Sequence, residues 1–267
     1  MKKRIISALI MLIIAIPILV VGGKLFLVFV SILGCIGLGE LIKLREIDDY
    51  KLPFITKVLS YLSVLYIILN NYSSDLIYLD LDYRLVSVMM FIFMFPIVLI
   101  GNDKKYNFLD GLYLMGCVFL IGFSFNLTML IRNNSLNIFL YLLIITIITD
   151  TFALITGKFI GKNKLCPTIS PNKTIEGVLG GTIMGTFAAV VYYLTIVNSG
   201  VDLFTIITTT ICLSLVGQIG DLVFSSIKRH YKVKDFSNLI PGHGGILDRL
   251  DSIIFVMFAF IIIISYL

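Results

Sequence analysis

Along the chain, long unbroken apolar runs alternate with short polar segments that collect almost all of the charge. A helix needs about 20 mostly apolar residues to span a membrane, within a range of about 17–25. On that measure the pattern predicts nine spans, at about 5–21, 25–39, 58–70, 85–101, 108–130, 136–157, 175–197, 203–224 and 250–267, the second and third being short. The first run follows MKKR, as the apolar part of a signal peptide would. It lacks a convincing small-residue cleavage site and is taken as the first span. No internal repeat or low-complexity segment interrupts the series. The expected architecture is an all-α integral membrane protein, a single polytopic domain over 1–267.

Composition supports this. The chain is 58% hydrophobic and 14% charged, where a soluble domain is about 45–50% apolar and about 25% charged. Of Cys35, Cys117, Cys166 and Cys212, three lie in apolar runs and no two stand at metal-ligand spacing. They are read as small hydrophobes, with neither disulfides nor a zinc site.

The distribution of Lys and Arg sets the expected orientation. With the N-terminus in the cytoplasm and nine alternating spans, 18 of the 21 basic residues fall inside, and only Lys24, Arg84 and Arg132 fall outside. The C-terminus then faces outward. The net charge of +5 is accounted for by topology and is no reason to invoke nucleic acid. Two inside loops, 158–174 and 225–249, are larger and more basic than a connection needs. Attraction to anionic lipid headgroups explains their lysines, but not the carboxylates beside them.

Asp150 interrupts the apolar stretch LLIITIITDTFALITG. A charge at the centre of a span costs about 2.5–3.5 kcal/mol, so Asp150 is either a hydrogen-bonded structural group or part of a polar site. Asp221 also lies at membrane depth, beside Gly217 and Gly220, which permit close backbone approach. Asp248 and Asp251 are three apart and share a face if the ninth helix starts there, where acids also suit the helix dipole. Several carboxylates gathered without a His or Cys cluster favour a hard cation, magnesium, held together with substrate phosphates. Lys173, Lys228, Arg229 and Arg249 are candidates for those phosphates, although each alone is better explained as a solvated or lipid-facing charge and only the set points to phosphate. Gly242, Gly244 and Gly245 in PGHGG can turn backbone N–H groups toward an anion. His243 between them is either a phosphate donor or a plain loop histidine. Glu176 would orient Lys173, three residues before it, if a helix has begun by Lys173. No phosphate-loop or dinucleotide-binding glycine pattern is present.

Residues 226–252, SIKRHYKVKDFSNLIPGHGGILDRLDS, resemble the signature of the phosphatidate cytidylyltransferases, also called CDP-diacylglycerol synthases. Ser226, Lys228, Arg229, Lys234, Asp235, Pro241, His243, Gly244, Gly245, Asp248, Arg249 and Asp251 fall in register with it. Upstream, residues 150–177 resemble the family's second block through Asp150, Gly157, Gly161, Ser170, Pro171, Lys173, Thr174, Glu176 and Gly177. Gly220, Asp221 and Leu222 fit as well. The likeness covers about 145–252, which would carry the catalytic motifs. It departs at Thr151, where the family usually has an aromatic or small residue, and at Lys158, where an Arg is usual.

The resemblance implies that CTP and phosphatidate give CDP-diacylglycerol and pyrophosphate, in the plasma membrane of a bacterium with the site facing the cytoplasm. It implies Asp221 and Asp248, then Asp251 and Asp150, as metal ligands. Lys173, Lys228, Arg229 and Arg249 would bind phosphate, with Ser170, His243, Gly244 and Gly245 as further substrate contacts. A second, monovalent cation and a homodimer stay open. A CTP-dependent lipid kinase and a transporter using Asp150 are the other readings. The first would release CDP, and the second would show flux without nucleotide.

Overall fold

The computed structural model describes residues 2–47, 50–70, 83–100, 105–198 and 200–265, leaving aside the side chains of 2–5 and 8. Lys104, and the expected span ends at 101 and at 266 and 267, lie outside the described residues. Among those described, each predicted run is one helix: α1 Lys2–Val21, α2 Gly23–Arg45, α3 Phe54–Leu69, α4 Tyr83–Ile100, α5 Phe108–Asn134, α6 Leu136–Phe159, α7 Ile175–Tyr192, α8 Leu203–His230 and α9 Leu247–Ile264. A π-helical turn, Tyr193–Val197, prolongs α7.

Six of these, namely α2, α4, α5, α6, α7 with its π turn and α8, are long and apolar enough to cross a membrane. The apolar part of α1, Leu9–Val21, and α3 are shorter, and α9 carries Asp248, Arg249 and Asp251 near its start. Length and composition therefore support six crossings among the described residues and a multi-pass membrane protein. The expectation of helix alone is refined by one hairpin between α6 and α7. Its strands, β1 Lys164–Cys166 and β2 Ser170–Thr174, are antiparallel with an irregular register.

Two helices run past their expected ends. α2 continues to Arg45 rather than 39, and α8 to His230 rather than 224. In both, the apolar run stops but helical spacing of buried residues does not: Leu41, Ile42 and Leu44 in α2, Phe224 and Lys228 in α8.

The chain forms two compact units, Met1–Asn133 with Asp235–Leu247, and Asn134–Lys234 with Asp248–Leu267. In the first, Leu38, Val64, Ile68, Phe93, Leu114, Val118 and Ile121 are fully buried. Gly22, at φ 68°, makes the turn from α1 into α2, a backbone state that suits glycine. Arg132 donates to the carbonyls of Leu19 and Val20 at the end of α1, and Asn126 to those of Ile67, Ile68 and Asn70 at the end of α3. These satisfy carbonyls that a helix end leaves without partners. The end of α2 is joined to the start of α5 by Arg45 and the buried Asp110, 2.7 Å apart. Tyr50 donates to the other Asp110 oxygen, and burial together with this carboxylate holds the Tyr50 phenol above its usual range.

In the second unit, α6 and α7 pack backbone against backbone. A Cβ at Gly181 would stand 2.6 Å from the Thr149 carbonyl oxygen, and one at Gly177 would stand 2.7 Å from that of Ala153. On α8, a Cβ at Gly220 would stand 2.7 Å from the Phe255 Cβ of α9. Thr174 caps α7 by accepting from the Gly177 N–H at 3.1 Å. Asp202 caps α8 by accepting from that of Thr205 at 2.9 Å.

Candidate active site

The second unit gathers most of the residues singled out from sequence. β2 ends beside α7 and carries Lys173, whose ammonium reaches Asp221 of α8 at 2.7 Å and the Gln218 carbonyl oxygen at 3.2 Å. Ser225, one turn further along α8, donates to the other Asp221 oxygen at 3.3 Å. A second pair joins Lys228 of α8 to Asp248 of α9 at 2.6 Å. The pairs differ in setting: the side chains of Lys228 and Asp248 are 9% and 4% exposed, those of Lys173 and Asp221 23% and 28%.

Asp150 of α6 accepts from the Ser252 hydroxyl of α9 at 3.0 Å. It shares a narrow crevice with Thr149, Ser214, Gly217, Gln218 and Ser252. Asp251 accepts from the Ser252 N–H at 2.9 Å. Asp150, Asp221 and Asp251 lie within electrostatic reach of one another, and Lys173 and Lys228 within reach of the group. The close approach of α8 and α9 at Gly220 underlies this gathering, because the same absent Cβ would stand 3.0 Å from the Asp251 carbonyl oxygen.

Other predicted residues have different company. Arg229 donates to the carbonyls of Ile169, in the hairpin, and Val233. Glu176 does not lie beneath Lys173 on a helix, because Lys173 is still in β2. It accepts instead from the N–H groups of Lys162 and Asn163 and from the Asn163 amide. It thus fixes the turn that leads into the hairpin. Ser170 opens β2, and Arg249 is the third residue of α9.

His243, Gly244 and Gly245 belong to the first unit. Gly242 and Gly244 have φ 79° and 84°, so the loop turns on glycine as PGHGG suggested. The Ser7 hydroxyl lies 2.8 Å from His243 Nδ1 and donates to the Pro241 carbonyl. Gly245 faces the Glu40 carboxylate of α2, which occupies the space a side chain would need. Glu40, Ser252, Ser225 and Gln218 were not singled out from sequence. The last three are ordinary helix residues whose only sequence signal is helical proximity to a chosen aspartate.

Among the described residues no three His, Cys, Asp or Glu side chains converge tightly enough to cage a metal ion. The donor chemistry suits magnesium held partly by substrate. The groups in reach are carboxylates, and Mg²⁺ commonly takes only one or two of these together with phosphate oxygens.

Comparison with known proteins places this arrangement in context. Residues 2–267 match the cytidylyltransferase family. The chain is 38% identical over 257 residues to a phosphatidate cytidylyltransferase of Staphylococcus haemolyticus, covering 96% of both chains. It is 37% identical to proteins of the same name from Staphylococcus saprophyticus and Staphylococcus aureus, again over 96% of each chain. With a match that runs nearly end to end and basic–acidic pairs where the sequence signature lies, the chain belongs to the cytidylyltransferase family.

Proposed function

We propose that this protein is a phosphatidate cytidylyltransferase that makes CDP-diacylglycerol for phospholipid synthesis. A phosphate oxygen of phosphatidate forms a bond to the α-phosphorus of CTP, the bond from that phosphorus to the bridging oxygen breaks, and pyrophosphate leaves. The nucleophile is already an anion, so no strong base is required. The obstacle is bringing two polyanions together, and fixed charges that stabilise the charge built up in the transition state are the main remedy.

The observation that carries the reading is the pairing of Lys173 with Asp221 and of Lys228 with Asp248 within one unit. Each lysine is held at a carboxylate and can turn to a phosphate when substrate arrives. Lys173 is the more exposed of the two, which suits direct contact with CTP. Arg229 and Arg249 add guanidinium groups for bidentate phosphate contact, and Ser170, His243, Gly244 and Gly245 are assigned as further substrate contacts on the family resemblance. Asp221 and Asp248, then Asp251 and Asp150, are the ligands assigned to magnesium, with Glu176 setting the turn before the hairpin. Bound there, the ion supplies Lewis-acid neutralisation of phosphate charge. The lipid enters from the bilayer and CTP from the cytoplasm, so the site belongs at the cytoplasmic face of the plasma membrane. The N-terminus is inside and the C-terminus outside.

Purified protein in detergent, given CTP, phosphatidate and magnesium, should yield CDP-diacylglycerol and pyrophosphate, and a chelator should abolish the yield. CDP together with a phosphorylated lipid, formed when lipid alcohols replace phosphatidate, would move the assignment to a lipid kinase.

A further inference from the structure

Glu40 lies in α2, 3% exposed, and all of its hydrogen bonds among the described residues go to the segment Asp235–Leu247. Oε1 accepts from the Ser237 hydroxyl at 2.6 Å and from the Ile246 N–H at 2.9 Å, and Oε2 accepts from the Leu247 N–H at 2.9 Å. No salt bridge joins Glu40 among the described residues. Gly245 has no room for a Cβ, because the carboxylate fills its place. The second glycine of the pair thus has an internal anion as its reason.

A buried carboxylate costs several kcal/mol in desolvation, and an apolar side chain of similar volume often stabilises as well or better. Apolar packing, however, cannot fix the direction of N–H groups. Those fixed here are at the very start of α9, which begins at Leu247. Helix-start N–H groups have no partner within the helix, and a negative charge there also suits the helix dipole. Glu40 therefore caps α9 from a helix some 200 residues earlier in the chain. The next two residues of α9 are Asp248 and Arg249.

We propose that Glu40 is a positioning residue for nucleotidyl transfer. By holding Ser237, Ile246 and Leu247, it fixes the shape of the His243–Gly244–Gly245 turn and the register at which Asp248 and Arg249 enter α9. The inference rests on the cytidylyltransferase reading, and it concerns a residue outside the signature stretches. Small misplacements of reacting groups can cost about 100-fold in rate.

The test compares the full-length protein in detergent with Glu40→Gln and Ser237→Ala. The readouts are steady-state kinetics, thermal unfolding and hydrogen exchange of residues 237–247. Gln keeps the volume and one acceptor but turns an NH₂ group toward these donors. Glu40→Gln should lower turnover about 10–100-fold, more in kcat than in KM for CTP. Its unfolding temperature should stay near that of the parent, and exchange should quicken at Ile246 and Leu247. Ser237→Ala, which leaves both amide bonds, should show a smaller loss in the same direction. Unchanged exchange at those amides, or parental turnover despite faster exchange, would overturn the proposal. So would a loss that merely tracks a fall in folded protein, with exchange raised along the whole chain. A parent protein without turnover would sink the reading of the reaction instead, and the exchange result would still decide whether Glu40 holds the loop.

Discussion

Asp221 and Asp248 are the same side chain in different surroundings, and their substitution should separate activity from stability. The Lys173–Asp221 pair is about a quarter exposed on each side, and pairs that water can reach contribute about 0–1 kcal/mol. Asp221→Asn should therefore leave folding nearly intact while lowering turnover at least about 100-fold, the scale of losing one well-placed electrostatic group. The Lys228–Asp248 pair is almost fully enclosed. Asp248→Asn takes the negative charge away from a buried ammonium, a change that costs about 3–5 kcal/mol when one partner of a buried pair is removed. Thermal unfolding and turnover of both variants, measured side by side, check this. An Asp221→Asn enzyme with near-parental turnover would refute the role given to Asp221. At this scale much of the candidate site was legible. The cost of charge within apolar runs drew attention to Asp150 and Asp221, and the i, i+3 spacing to Asp248 and Asp251. Glu40 escaped because the second span was ended at 39, where the apolar run stops, although buried Leu41, Ile42 and Leu44 carry the helix onward.

At the scale of elements, the contact that places Asp150 is the one between α6 and α7. Gly177 and Gly181 let α7 lie directly on the backbone of Thr149 and Ala153. Backbone cannot yield as a flexible side chain can, so Gly181→Val must push the helices apart. Overpacking of this kind costs about 1–3 kcal/mol, occasionally more. The expected result is a lowered unfolding temperature in detergent together with reduced turnover, because Asp150 is one residue from Thr149. A Gly181→Val protein as stable as the parent would show that the two helices have slack. Apolar periodicity and length sufficed to find the nine helices seen among the described residues. They could not find the hairpin, since strands of three and five residues are too short to show alternation. The span start expected at 175 coincides with α7, which begins at Ile175 behind the Thr174 cap. The helical spacing of Lys173 and Glu176, which required a helix to have begun by Lys173, does not apply because Lys173 is still in β2.

For the whole molecule, two arrangements of the nine helices among the described residues, all crossing or only six, are told apart by where they put the basic residues. If all nine cross, Lys51 and Lys162 lie on the same side, with 18 basic residues inside and three outside. If only the six long apolar helices cross, Lys51 and Lys162 lie on opposite sides, and the division becomes 15 to six. The positive-inside bias favours the first. In either arrangement α6, α7 and α8 cross, so the end of α6, the start of α7, the end of α8 and the start of α9 come to one face, where the lysine–aspartate pairs would meet cytoplasmic CTP. Single cysteines at Lys51, Lys162 and Val201, in a background without Cys35, Cys117, Cys166 and Cys212, can be probed in intact cells with a membrane-impermeant maleimide. Val201→Cys should react at once, while Lys51→Cys and Lys162→Cys should react only after permeabilisation. Labelling of Lys51→Cys in intact cells would leave six crossings as the arrangement. Labelling of Lys162→Cys there would put the hairpin, and with it Lys173, on the side of the membrane that lacks CTP.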